Sequence, residues 1–352
     1  MGVVAIVGTV KGAFVLRSDS GRKSWKIEGP IFKGWKVTAA AQDPQGNHIW
    51  ATASDVYGAA LQRSKDLENW QQIENGPKYP EGGERKLKEI WRVVCEGDTF
   101  YAGVDEAGLF RSADGGEKWE PVPALNDHPT RSAWFPGNGG LCALSVIIDP
   151  KNPQRLWCGI SAVGVFRSDD GGASWSCKND GVKVIIEDKE HKDIGYCVHA
   201  LAHDPDDANR IWRQEHTGMY RTTDGADTWQ AIENGLPSGF GFPIVIDRNT
   251  KDIYAVPLEK DEYRFPIEGK LKVYRSRNAG DSWEPLSKGL PQERFYAGVL
   301  RSAMAVDNGS PSGVYVGTTA GTVHVSNDGG ESWQTLPCTL PRILCMSTFQ
   351  EN

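Results

Sequence analysis

The chain has 352 residues, 39% of them hydrophobic, and a formal net charge of −7 from 39 basic and 46 acidic side chains. That length suits one large domain or two ordinary ones, and interspersed charge of acidic balance argues against nucleic acid as the main partner. No apolar run approaches the length of a membrane-crossing helix, so no membrane partner is expected.

Residues 3–7 read directly as a β-strand, without a basic leader segment in front, and a cytoplasmic location is expected. From there one phrase recurs along the chain. An apolar run ends in Asp or Asp-Pro (Asp43, Asp149, Asp204, Asp247, Asp307), and a short strand with an aromatic follows (Trp50, Tyr101, Trp157, Trp212, Tyr254, Tyr315). After a Gly-containing turn comes a third strand, then S-x-D-x-G-x-x-W, then a fourth strand beginning at Trp. The motif is complete at Ser112–Trp119, Ser168–Trp175 and Ser326–Trp333. It is lightly altered at Thr222–Trp229 and Ser276–Trp283, one residue short at Ser64–Trp70, and degraded at Ser18–Trp25. The seven Trp stand roughly 45 to 56 residues apart, a period of propeller blades or a similar array. Physically the motif is a strand–turn–strand clip. Ser and Asp hydrogen-bond the turn's own backbone, Gly supplies positive φ, and Trp plugs the gap between units.

Four antiparallel strands per unit, repeated seven times, predict an all-β, seven-bladed propeller over residues 1–352 as one domain. The first unit starts at its second strand, and residues 342–347 read as a first strand with no unit after them. They are expected to complete the first blade and close the ring. Seven cysteines, an odd number with no C-x-x-C pair, fit free thiols. Cys95, Cys142, Cys197 and Cys345 lie in apolar strands and read as buried.

The motif resembles the Asp-box, or BNR repeat, and the resemblance covers nearly the whole chain. Asp-box propellers include sialidases, xyloglucan-active hydrolases, sortilin ectodomains and photosystem II assembly factors, and the chain also resembles uncharacterised bacterial BNR-repeat, glycosyl-hydrolase-like proteins. The resemblance implies the propeller fold and, for function, a choice among unrelated activities. Sialidases carry an early F/Y-R-I-P motif, whereas the only similar string here is Tyr263–Pro266, three-quarters of the way along.

Propeller topology then sorts the loops. Motif turns lie on one face; second-to-third turns and connections between units open on the other, which also holds the long segments 71–89, 120–140, 176–195 and 257–272. Function concentrates on loops held by a rigid scaffold. Three Trp fall outside the repeat (Trp35, Trp91 and Trp134), all just before inner strands, where they suit stacking on a ring-shaped ligand. Arg92, His128, Arg131, His199, Glu215, His216 and Arg301 accompany them. One axial pocket is therefore expected on this face. Trp134, Trp35 and Trp91 would stack, and Arg92, His128, Arg131 and Arg301 would bind an anionic oligosaccharide or small molecule. Glu215, His216 and His199 would move protons. Hydrolysis would draw on Glu106 and Glu215, and a lyase on His199, His216 and Tyr263. A metal held by His128, His199 and His216 is geometrically conceivable, but no ligand spacing supports it, and neither metal nor cofactor is expected. The other class of reading is a non-catalytic scaffold that binds a protein.

Overall fold

The computed structural model describes residues 2–351. They form seven four-stranded antiparallel sheets arranged as a seven-bladed β-propeller. Blades 2 to 7 start at the inner strands Lys36–Gln42, Glu89–Glu96, Ala143–Asp149, Val198–Asp204, Gly241–Ile246 and Met304–Val306, and each runs outward through the next three strands. Blade 1 takes its inner strand from the end of the chain. Ile343–Glu351 pairs antiparallel with Gly2–Thr9, from Gly2 opposite Glu351 to Thr9 opposite Ile343. The closing strand thus extends beyond the expected 342–347, and it covers the edge that the first blade would otherwise expose.

Six of the seven motif turns are built alike. The Ser or Thr hydroxyl donates to the Asp or Asn Oδ1 two residues on, at 2.6–3.1 Å. In five of them the same hydroxyl accepts the N–H of the motif Gly, or of Ala226 in its place, at 2.7–3.0 Å. The Oδ1 also accepts the N–H just before the Trp, at 2.9–3.0 Å. Gly is required for space as well as for its positive φ: a Cβ on Gly116 would stand 2.8 Å from the Phe100 ring.

The repeat also explains how blades join. The backbone N–H groups of Trp119, Trp229, Trp283 and Trp333 donate to carbonyls of the preceding blade, Asn75, Asp180, Asn234 and Lys288, at 2.9–3.1 Å. In the other direction, the second-strand aromatic and the third-strand Arg share one acceptor in the next blade's motif turn. Trp157 and Arg167 both meet the Gly225 carbonyl, Trp212 and Arg221 that of Ala279, and Tyr254 and Arg275 that of Gly329, at 2.9–3.0 Å. Five motif Trp rings (Trp119, Trp175, Trp229, Trp283 and Trp333) are buried, as an inter-blade plug must be, while Trp25 and Trp70 of the altered motifs are half-buried.

Blade 1, whose motif is degraded, solves the seam differently. Arg22 occupies the Gly position with φ 50° and sends its guanidinium into blade 7. There Nε and Nη2 grip both oxygens of Asp307 at 2.6 and 2.7 Å, and the Tyr315 hydroxyl donates to the same carboxylate at 2.6 Å. The Arg22 and Asp307 side chains are 4% and 3% exposed. The closing seam therefore carries a bidentate buried ion pair where the regular seams carry a clipped turn.

Candidate functional site

On the face opposite the motif turns the structure has two adjoining cavities rather than one. The first, about 680 Å³, lies over blade 3 and is walled by Tyr79, Arg85, Lys88, Asp105, Glu106 and Arg131, with Trp134 at its edge. The second, about 380 Å³, lies nearer the axis over blades 4 to 6 and is lined by Cys197, His199, His216, Asp261, Arg264 and Arg301, among others. Pro136 touches both. The expected constellation is accordingly divided: Arg131 and Trp134 belong to the first cavity, His199, His216 and Arg301 to the second.

Several expected roles are corrected by burial. Trp134 is only 7% exposed: its ring packs on Phe166, Nε1 donates to Thr130 Oγ1 at 2.9 Å, and the Arg131 guanidinium lies 4.7 Å over it. Trp91 is covered in the same way by Arg301, 4.4 Å from its ring centroid. Both rings already hold a cation on one face, and neither is a free stacking platform. Trp35 differs, stacked at 5.7 Å on the exposed Tyr57 near the rim. His128 bonds Thr130 through Nδ1 at 2.8 Å, packs on Phe166, and lines neither cavity. Arg92 lines neither cavity.

Glu215 is fully buried and ion-paired with the equally buried Arg213. The reason is strand alternation: residues 213 and 215 share one side of the strand Asp207–Glu215, while position 216, just beyond its end, faces the cavity. Burial pushes the Glu215 carboxyl up while Arg213 pulls it down. The pair is packed into the blade and cannot reach a ligand, so Glu215 is not the group that meets a substrate.

The second cavity has a defined inner wall. His199 is buried at the start of its inner strand, stacked 4.4 Å from Phe242. Its Nδ1 lies 2.6 Å from the Gly241 carbonyl, which can only accept, so Nδ1 carries the hydrogen and Nε2 the lone pair. Burial drives its pKa down to about 3. That Nε2 lies 3.6 Å from Cys197 Sγ. His216 is half-buried; its Nε2 is 3.3 Å from Asp261 Oδ2. Arg301 donates to the Gly139 carbonyl at 2.6 Å, tying the approach to blade 7 to the loop between blades 3 and 4. In the first cavity, Lys88 Nζ stands 3.1 Å from Glu106, and burial raises the Asp105 carboxyl above its ordinary range.

Cys197 and Asp261 escaped the sequence reading as site residues, whereas Asp105 stands beside Glu106 in a second-to-third turn, as that reading placed it. A usable signal existed for Cys197: in an extended segment, Cys197-x-His199 puts both side chains on one side. Asp261 carried no such signal, since the insertion that brings it to His216 has no strand register. The rim was also legible only in part. Among the described residues, the exposed large apolar side chains are Val56, Tyr57, Phe135, Ile185, Ile186, Tyr263 and Tyr296, and every one sits on this face, in second-to-third turns or inter-blade connections.

No family model matches the chain. Among curated proteins it is similar to a xyloglucanase of Hypocrea jecorina, 24% identical over 252 residues, covering 67% of this chain and 24% of that protein. It is similar also to an oligoxyloglucan-reducing end-specific xyloglucanase of Emericella nidulans, 24% identical over 314 residues, covering 81% of this chain and 36% of that protein. Among solved structures, an ancestral GH74 enzyme superposes with TM-score 0.58 at 18% identity, over 89% of this chain and 38% of that one. YCF48 bound to a D1 peptide superposes with TM-score 0.53 at 14% identity, over 87% of each chain. These structural likenesses show the propeller fold, and the chain spans about a quarter to a third of the length of the curated relatives named.

Proposed function

We propose that this propeller is carbohydrate-active, binding an oligosaccharide across the two cavities of the face opposite the motif turns. The observation that carries the reading is the rim: every exposed large apolar side chain described lies on this one face, around cavities walled by charged groups. Sugars are recognised by such pairing of apolar faces with fixed polar groups. The xyloglucanase relatives supply the class, a β-glucan oligosaccharide of the xyloglucan type. The six shared motif turns support reading the repeat as the Asp-box.

Each cavity has its own part in this reading. Arg264, Arg301 and Arg342 outnumber Asp261 in the second cavity, which suits an anionic substituent. In the first, the lining carboxyls are Glu84, Asp105 and Glu106, of which the last two share the second-to-third turn of blade 3. Asp105, kept protonated more readily by burial, is placed to give a proton, and Glu106, beside Lys88, is the second carboxyl of the pair. This replaces Glu215 in the proton-handling role.

Calorimetric titration with xyloglucan oligosaccharides, beside an assay for released reducing ends, tests the proposal. Binding that weakens in Phe135→Ala and Tyr57→Ala supports it; turnover lost in Asp105→Asn with affinity kept identifies an enzyme. The rim also favours a second reading, a scaffold for a protein partner, because exposed apolar residues gathered on one face suit protein docking. Absence of any sugar binding, with capture of a defined peptide by the same face, would establish that reading instead.

A further inference from the structure

Cys197, His199 and His216 each offer one donor atom to a cluster in which all three lie within 4.8 Å of one another. We propose that this cluster binds a divalent transition metal of the zinc class through these three residues, with a fourth position open to the second cavity. The inference does not depend on the carbohydrate reading.

Four observations converge. First, the donor set of one thiol and two imidazoles is the soft-to-borderline combination that zinc and cobalt select, whereas calcium and magnesium take oxygen. Second, the spacing fits: bonds of about 2.3 Å to sulfur and 2.0–2.1 Å to nitrogen, at a tetrahedral angle, place the two donors about 3.5 Å apart. Cys197 Sγ and His199 Nε2 stand 3.6 Å apart. Third, the outer partners are in place. The Gly241 carbonyl fixes the His199 tautomer that leaves Nε2 as a ligand, and the Asp261 carboxylate holds the His216 ring. Fourth, the ligands come from separate parts of blade 5, the start of its inner strand and its second-to-third turn, with Phe240 packed against both imidazoles and Phe242 against that of His199. Such packing holds the rings in position before any ion arrives. Three protein ligands with an open position facing a cavity is the arrangement of a reactive rather than a purely structural zinc site. Arg264 and Arg301 on the same wall favour an anionic oxygen ligand at that fourth position.

The experiment uses the full chain without a histidine tag, stripped by chelator and titrated with Co(II), then with Zn(II). One equivalent of Co(II) is expected, with the visible bands of four-coordinate cobalt and a near-ultraviolet thiolate-to-cobalt charge-transfer band, both lost when Zn(II) displaces it. Cys197→Ser should remove the charge-transfer band, and Asp261→Asn should weaken binding about 10–100-fold. Should Cys197→Ser fail to fold, the half-exposed His216→Ala carries the test and should weaken binding at least as much as Asp261→Asn. A saturated sample without the charge-transfer band would overturn the proposal, as would undiminished binding in a folded Cys197→Ser or His216→Ala variant.

Discussion

The two faces of this propeller follow opposite rules. On the motif face, six turns repeat one hydrogen-bond pattern, and the blades are latched by carbonyls that accept from two donors at once. On the other face no two connections are alike; they carry the described exposed apolar residues and two cavities. Regularity serves stability, where each blade meets the same neighbour; the motif turns of blades 3 and 4 also border a groove of about 900 Å³, so what sets the other face apart is its irregular loops and apolar rim. Substitutions on the motif face and its seams should therefore cost folding, and those on the opposite rim should cost binding.

The largest break in that comparison is removal of the closing strand. Deleting residues 340–352 exposes the edge of Gly2–Thr9, and the expected result is aggregated protein without a cooperative melt; a soluble, cooperatively unfolding truncation would contradict the closure argument. Next comes Arg22→Ala, which leaves Asp307 buried without its cation and should cost about 3–5 kcal/mol in urea unfolding. Its counterpart at a regular seam, Arg221, pairs with an Asp281 side chain that is 64% exposed, so that ion pair contributes only about 0–1 kcal/mol. Equal midpoints for Asp281→Ala and Arg22→Ala would show that the closing seam is not special. Ser168→Ala should cost about 1–3 kcal/mol, because it strands the buried Gly172 N–H, and it should leave affinity per folded molecule unchanged.

Acid titration separates the same regions in steps. Burial lowers the pKa of His199 to about 3, and those of His48, His203 and His324 to about 4. The unfolded chain therefore binds more protons than the fold, and stability should fall as pH drops from about 6.5 towards 4. In the motif turns, hydrogen bonds from Ser174 hold Asp170 down at about 2, and those from Thr222 and Thr228, against some burial, do the same for Asp224. Their contribution is present above about pH 4 and is lost between about 4 and 2. Melting curves across this range should show both stages; a flat profile from 6.5 to 4 would mean that the histidines are not held neutral. The smallest stability effects belong to the rim. Tyr57→Ser and Phe135→Ser should shift folding by no more than about 0.5 kcal/mol, while lowering oligosaccharide affinity.

The repeat was readable because each of its parts is local. Ser, Asp, Gly and Trp act within one turn, so seven copies of the spacing announce seven blades, and the orphan first strand announces ring closure. The face that carries the irregular loops also followed from strand count alone, since successive turns must alternate between faces. Tertiary structure decided which residues share a cavity. Glu215 and His216 are neighbours in sequence, yet Glu215 turns into the blade against Arg213 and His216 turns out to Asp261. Arg131, in the loop between blades 3 and 4, and Arg301, near an inner-strand start, were read as one anion-binding set, yet one caps Trp134 over blade 3 and the other caps Trp91 nearer the axis. Cys197, read as a buried thiol, meets His199 and His216 because the start of an inner strand and a turn of the same blade converge there. Turn chemistry depends on residues a few positions apart, whereas a cavity depends on how irregular loops from different blades pack against one another, and no local spacing encodes that.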